Sequence, residues 1–167
     1  MNIDLTTLSF ALALLALIVS LYAFSQAGKE KSSSKEKFNS IPLRLQAYER
    51  LVLLAERISL PQLISRLNQP GLNATEMKLL LVEQIKSEFE YNSTQQLYVS
   101  QLAWDAIRNL KEQEIMLINQ VYSTLPSSAL AADLNRKILE VFMAQPEGAL
   151  NEVVTQTLNH EAKKLMS

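Results

Sequence analysis

The sequence predicts an all-α protein with one N-terminal transmembrane helix followed by a cytosolic antiparallel bundle of about six helices. Three observations carry that expectation. Leu5 to Phe24 contains no acidic or basic residue, and Asp4 is the only charged residue before Lys29. After Ser40 the prolines and glycines fall between periodic segments and not within them, as in helices joined by short turns. Apolar residues recur at spacings of three and four, and no stretch alternates apolar with polar long enough for a sheet. Only Leu97-Tyr98-Val99 has strand-like composition.

Residues 1–4 form a short extracytoplasmic N-terminus. Residues 5–24 rise about 30 Å as a helix, the hydrocarbon thickness of a typical bilayer. A cleaved signal peptide is the competing reading, but its basic leading region is missing here. The positive charges lie on the other side of the span. Lys29, Lys31, Lys35 and Lys37 follow it, offset only by Glu30 and Glu36, so this end is expected in the cytoplasm and the N-terminus outside.

Residues 25–40, SQAGKEKSSSKEKFNS, hold too little apolar surface to offset the entropy of ordering them. They read as a charged tether with a reach of about 20–25 Å. Its four lysines are placed near anionic headgroups. A helical continuation of the span is the alternative.

The helical domain spans 41–167. Pro42 opens a first helix to about Ile58, with Ser40 as cap. A short second helix runs from Ser59-Leu60-Pro61 to Leu67, and Asn68-Gln69-Pro70-Gly71 closes it. The third runs from about Ala74 to Tyr91, where Asn73 and Glu76 have the spacing of a capping pair. The polar run Asn92 to Gln96 interrupts the chain, and Ser100 caps a long helix to about Tyr122. Pro126 with Ser127 or Ser128 starts the fifth helix, ending near Gln145, and Pro146 starts the sixth, ending near Leu165. The expected apolar stripes are Leu130, Leu134, Ile138, Val141 and Phe142 in the fifth, and Leu150, Val153, Val154, Thr157, Leu158, Glu161 and Leu165 in the sixth.

Several chemistries are excluded by composition. No cysteine means no disulfide, thiolate metal site or catalytic thiol, and three glycines leave no material for a phosphate-cradling loop. The single histidine, His160, cannot supply a di-iron bundle, which needs two. Residues 41–167 hold 12 basic and 14 acidic side chains with no basic run, which speaks against nucleic acid. The tripeptides at Asn73 and Asn92 fit the glycan acceptor pattern, but in a cytosolic domain they are polar loop or cap residues. No catalytic, cofactor-binding or metal-ligating residue is assigned, and no cofactor is expected.

Two surfaces are candidates for partner contact. On the first helix of the domain, Gln46, Glu49, Arg50, Glu56 and Arg57 gather on one face with Leu53 at its centre. An exposed leucine is ordinary, yet one ringed by Glu and Arg has the layout of a small protein contact, in which Arg50 and Arg57 meet a partner's carboxylates. The second candidate is the connection after Tyr91. Its aromatics either pack over the core or form a recognition loop with Gln95 and Gln96 as hydrogen-bonding groups and Tyr98 or Trp104 as anchor. Glu114 falls on the apolar stripe of the long helix, and is expected either solvated at the bundle edge or paired to a local Arg or Lys, with a polar interface position as the alternative.

The strings Ile41-Pro42-Leu43-Arg44-Leu45-Gln46-Ala47-Tyr48-Glu49-Arg50-Leu51, Glu56-Arg57-Ile58-Ser59, Arg66-Leu67-Asn68-Gln69-Pro70-Gly71, Glu88-Phe89-Glu90-Tyr91-Asn92 and Gln95-Gln96-Leu97-Tyr98-Val99-Ser100, with Trp104, resemble a family of uncharacterised single-span bacterial membrane proteins. That resemblance covers roughly residues 41–110. It implies a bacterial inner-membrane protein with a helical cytosolic domain, and it brings no activity with it. The expected function is a membrane-anchored, non-enzymatic interaction module, an adaptor or accessory subunit whose partner is another membrane or cytosolic protein or a second copy. The alternatives are a small-molecule or lipid-binding domain, and an enzyme in which two of Glu83, Glu88, Glu90 and Glu114 converge.

Overall fold

Helices form where the periodic segments lie. The computed structural model describes residues 40–144 and 150–166, together with Ser20. The chain divides into two units, Met1–Asn39 and Ser40–Ser167, and the fold described below belongs to the second. The expected span at 5–24, the tether with Lys29, Lys31, Lys35 and Lys37, and Pro146 as a helix opener lie outside the described residues, apart from Ser20 and Ser40 at single positions. No helix among the described residues is long and apolar enough to cross a membrane.

Helix α1 is Ile41–Ile58, with Pro42 in its first turn. Ser40 does not cap it through its side chain. Its backbone is already helical at φ −77°, ψ −7°, which turns the hydroxyl away from the acceptor position that an extended N-cap residue provides. Helix α2 is Leu60–Leu67, again with proline at its start. Gly71 then takes the left-handed φ of 91°, a conformation a side chain would resist.

Helix α3, Ala74–Tyr91, starts with the expected capping box. The Glu76 amide donates to Asn73 Oδ1 at 3.0 Å, and the Asn73 amide donates to Glu76 Oε2 at 2.9 Å. After it the polar run winds into a 3₁₀ turn, Ser93–Leu97. Helix α4 is Gln101–Ser123, capped by Ser100 Oγ, which accepts from the Ala103 amide at 3.0 Å. Helix α5 is Ala131–Met143 and helix α6 is Leu150–Met166.

Helix α5 begins five residues after the expected Pro126, for a reason that lies elsewhere in the chain. The residues before it are used as backbone partners of the α2–α3 connection. The Ala74 amide donates to the Ala129 carbonyl at 3.0 Å, and the Ala131 amide donates to the Leu72 carbonyl at 3.1 Å. This antiparallel bridge, centred on Asn73 and Leu130, ties the two connections together. Leu130 is thereby held extended and is 60% exposed, so it is not part of the α5 core stripe. The Asp133 carboxylate reaches back to accept from the Leu130 amide at 3.1 Å.

The core is one continuous cluster. Helix α1 packs chiefly on α6, α3 on α4 and α5, and α4 on α6. Leu51, Leu54, Ile58, Leu63, Met77, Leu81, Ile85, Ile107, Leu110, Ile118, Leu134, Ile138 and Leu158 are fully or almost fully buried within it. Each such side chain contributes about 1.5–3 kcal/mol by leaving water. In α6 the buried positions are Asn151, Val154 and Leu158, while the expected Leu150 and Val153 are exposed.

Replacing Leu81 by Ala should cost about 3 kcal/mol, Asn73→Ala about 1 kcal/mol, and Leu79→Ala on the exposed face of α3 under about 0.5 kcal/mol. Urea denaturation of the three variants checks that order.

Candidate functional site

The α1 face that the sequence singles out meets α3 along a surface groove of about 440 Å³. Arg50, Leu53 and Arg57 line it from one side; Gln84, Glu88 and Tyr91 line it from the other. Helical spacing explains both rows, since 50, 53 and 57 lie three and four apart, as do 84, 88 and 91. Leu53 is 55% exposed and Tyr91 72% exposed, so both keep apolar surface available. The Arg50 guanidinium sits over the Tyr91 ring, 5.6 Å from its centre.

Arg57 is differently employed. Its Nε donates to Glu88 Oε2 at 2.8 Å and its Nη2 donates to Glu88 Oε1 at 2.5 Å, a two-pronged pairing of α1 to α3. Gln84 Nε2 adds a bond to Oε1 at 3.1 Å, and Arg66 on α2 approaches within 3.8 Å while donating to the Arg57 carbonyl at 2.6 Å. The Arg57 bonds hold the Glu88 carboxyl below its ordinary value against the opposing effect of burial, and the same bonds raise Arg57. Arg57 is therefore a brace across three helices, and its carboxylate partner comes from within the chain.

The remaining candidate residues divide. Glu49 lies in a separate groove between α1 and α6, shared with Tyr48, Val52 and Ala162, and Leu53 borders both grooves. In the connection after α3, Gln96 and Tyr98 are exposed, whereas Gln95 is buried and donates to Thr94 Oγ1 at 3.3 Å. Trp104 is 8% exposed and packs on Phe89 with ring centres 5.0 Å apart. Neither Gln95 nor Trp104 offers the surface of a contact residue, because the 3₁₀ turn folds Gln95 inward and Trp104 lies beside Ala103 on the core side of α4. Leu97 and Leu102, 75% and 64% exposed, supply apolar surface here that sequence reasoning passed over.

The chain belongs to DUF7935, a family of unknown function. The match runs over residues 2–165, nearly the whole chain. No curated protein and no solved structure matches. Membership in DUF7935 agrees with the resemblance to an uncharacterised family and leaves the function to be argued from the residues.

The tripeptides at Asn73 and Asn92 have structural duties. Asn73 caps α3, and the buried Asn92 side chain donates to the Glu88 carbonyl at 2.9 Å. A polar clasp also escaped sequence reasoning. Tyr48 Oη donates to Glu161 Oε2 at 2.7 Å, Ser100 Oγ donates to the same oxygen at 2.5 Å, and the Ser100 amide donates to Tyr48 Oη at 3.1 Å. It joins α1, the start of α4 and α6. Its one visible signal was a glutamate on the apolar stripe of the last helix.

Glu114 lines a pocket and is not paired to an Arg or Lys among the described residues. It is 7% exposed, and no hydrogen bond or ion pair reaches it among the described residues. Burial alone pushes its carboxyl up to about 8. Glu88 and Glu114 line different pockets, and Glu83 and Glu90 are exposed. The carboxylates considered for hydrolysis are dispersed.

The two buried acids act oppositely on stability. Glu88, lowered in the fold, contributes fully above the ordinary carboxylate range and loses its contribution as pH falls through its lowered value. Glu114, raised in the fold, makes the folded state bind more protons than the unfolded chain, so stability falls as pH climbs from about 4.5 to about 8. The fall is on the order of 3–5 kcal/mol. Urea midpoints measured at pH 5, 6, 7 and 8 should decline in the wild type and decline much less in Glu114→Gln, which should be the more stable protein at pH 8.

Proposed function

We propose that the protein is a membrane-tethered, non-enzymatic interaction module, an adaptor or accessory subunit of a bacterial inner-membrane assembly. The charge-free run 5–24 and the lysines after it support a single span with the N-terminus outside and the helical domain in the cytoplasm. The α1–α3 groove carries the reading of a partner surface. There Leu53 and Tyr91 expose apolar area beside Arg50, while the Arg57–Glu88 pair ties α1 to α3 across the groove. An apolar centre rimmed by charge is the layout of a small protein interface. Gln96, Tyr98, Leu97 and Leu102 on the following connection are the second surface offered to a partner.

Crosslinking in membranes followed by affinity capture should recover a partner with the wild type that a folded Leu53→Asp, Arg50→Glu variant loses. Recovery of the same set by both proteins would remove this groove from the interface. Activity reporters fused at the C-terminus should report a cytoplasmic location, and a periplasmic signal would overturn the orientation.

A further inference from the structure

Where α4, α5 and α6 meet, the structure holds a pocket of about 240 Å³ that the interaction surface does not use. Gln113, Glu114, Met116, Leu117 and Gln120 line it from α4, Phe142 from α5 and Leu150 from α6. Glu114 is 7% exposed as a residue, and its carboxyl has no ion-pair or hydrogen-bond partner among the described residues. An acid buried in that way costs stability, and it is ordinarily paired.

The basic residues nearest it on α4 and α5 already have partners among the described residues. On α4, Lys111 is bound to Glu112 at 2.7 Å and lies over the Phe89 ring at 4.5 Å. On α5, Arg136 is paired with Asp133 at 3.1 Å and Lys137 with Glu140 at 3.2 Å. The start of α6 contributes only Glu152, and the sequence between the helices, Gln145-Pro146-Glu147-Gly148-Ala149, includes no basic residue. A divalent metal would need several oxygen ligands around it, whereas this pocket presents one carboxyl, two amides and apolar walls. An ammonium group with an apolar body fits that combination, since the carboxylate supplies the charge and the Phe142 ring a favourable wall.

We propose that this pocket binds a small organic cation, with a primary ammonium head against Glu114 and a short alkyl tail along Leu117, Phe142 and Leu150. The reading is independent of the α1–α3 groove. Binding must draw off the proton that Glu114 carries at neutral pH, so proton release and cation uptake are linked. The alkylammonium itself stays charged up to about pH 10, like a lysine side chain. Apparent affinity should therefore rise about tenfold from pH 7 to pH 9.

The test uses the full chain in nonionic detergent, titrated calorimetrically with n-butylammonium and with n-butanol. The expected result is saturable binding of butylammonium that tightens about tenfold between pH 7 and pH 9, with butanol bound far more weakly at both. Glu114→Gln, with its helical circular dichroism unchanged, should lose the butylammonium signal. Should that variant fail to fold, the wild type alone decides the matter. Its heat of binding at pH 7 should vary with buffer ionisation enthalpy as about one proton released, and should cease to vary at pH 9. No saturable binding, equal binding of amine and alcohol, affinity without pH dependence, or full retention by folded Glu114→Gln would each overturn the proposal.

Discussion

Two backbone hydrogen bonds set the geometry on which the rest depends. The Ala74 amide to the Ala129 carbonyl, and the Ala131 amide to the Leu72 carbonyl, hold the first residues of α3 and α5 side by side. Each bond satisfies groups that a helix start leaves without an intrahelical partner or that a connection would otherwise leave to water. With both helix starts held, the positions of residues farther along each helix follow from a rise of about 1.5 Å per residue. Glu88 lies some 22 Å along α3 from its cap, and there it meets Arg57. Phe142 lies some 18 Å along α5 from its cap, and there it helps enclose Glu114. The α1–α3 groove and the pocket at Glu114 thus lie at the far ends of two helices whose near ends are joined.

Glu88 and Glu114 make a controlled comparison inside one molecule. Both are glutamates on the long helices, and both are nearly excluded from water, at 8% and 7% exposure. One accepts two bonds from a guanidinium and is held ionised; the other has no ion-pair partner among the described residues, and burial raises its carboxyl. Burial raises both, and only the presence of Arg57 reverses the outcome. The consequence differs in kind as well as sign. A charge pair braces three helices, while the acid without one lines a pocket.

Much of the helical plan was legible because its signals are local. Pro42, Pro61, Asn73 with Glu76, and Ser100 mark helix starts through their own backbone and the next turn, and α2, α3 and the start of α4 begin as expected. The start of α5 was not legible. Pro126 with its two serines has the chemistry of a helix opening, but the backbone of Ala129 to Ala131 is claimed by residues almost sixty positions earlier. The candidate site was half legible for the same reason. Spacing on α1 placed Arg50, Leu53 and Arg57 together, yet nothing in α1 said that Glu88 would occupy Arg57, or that Glu49 would turn into a second groove. Trp104 and Gln95 showed the composition of a recognition loop, and packing decided that they serve the core.

By itself the sequence determined that the domain is helical, where most of its helices start, and which of its residue types exclude thiolate, phosphate-loop and di-iron chemistry. Those conclusions rest on periodicity, capping and composition, which act within a few residues of the chain or on the chain as a whole. Tertiary structure alone decided the polar pairings between distant segments. Tyr48, Ser100 and Glu161 come from three separate segments and share one carboxylate oxygen. Glu114 has no ion-pair partner among the described residues, and burial raises its carboxyl. The energy of a charge depends on what lies within a few ångströms and on how much water is displaced, and in a helical bundle those neighbours come from distant parts of the sequence.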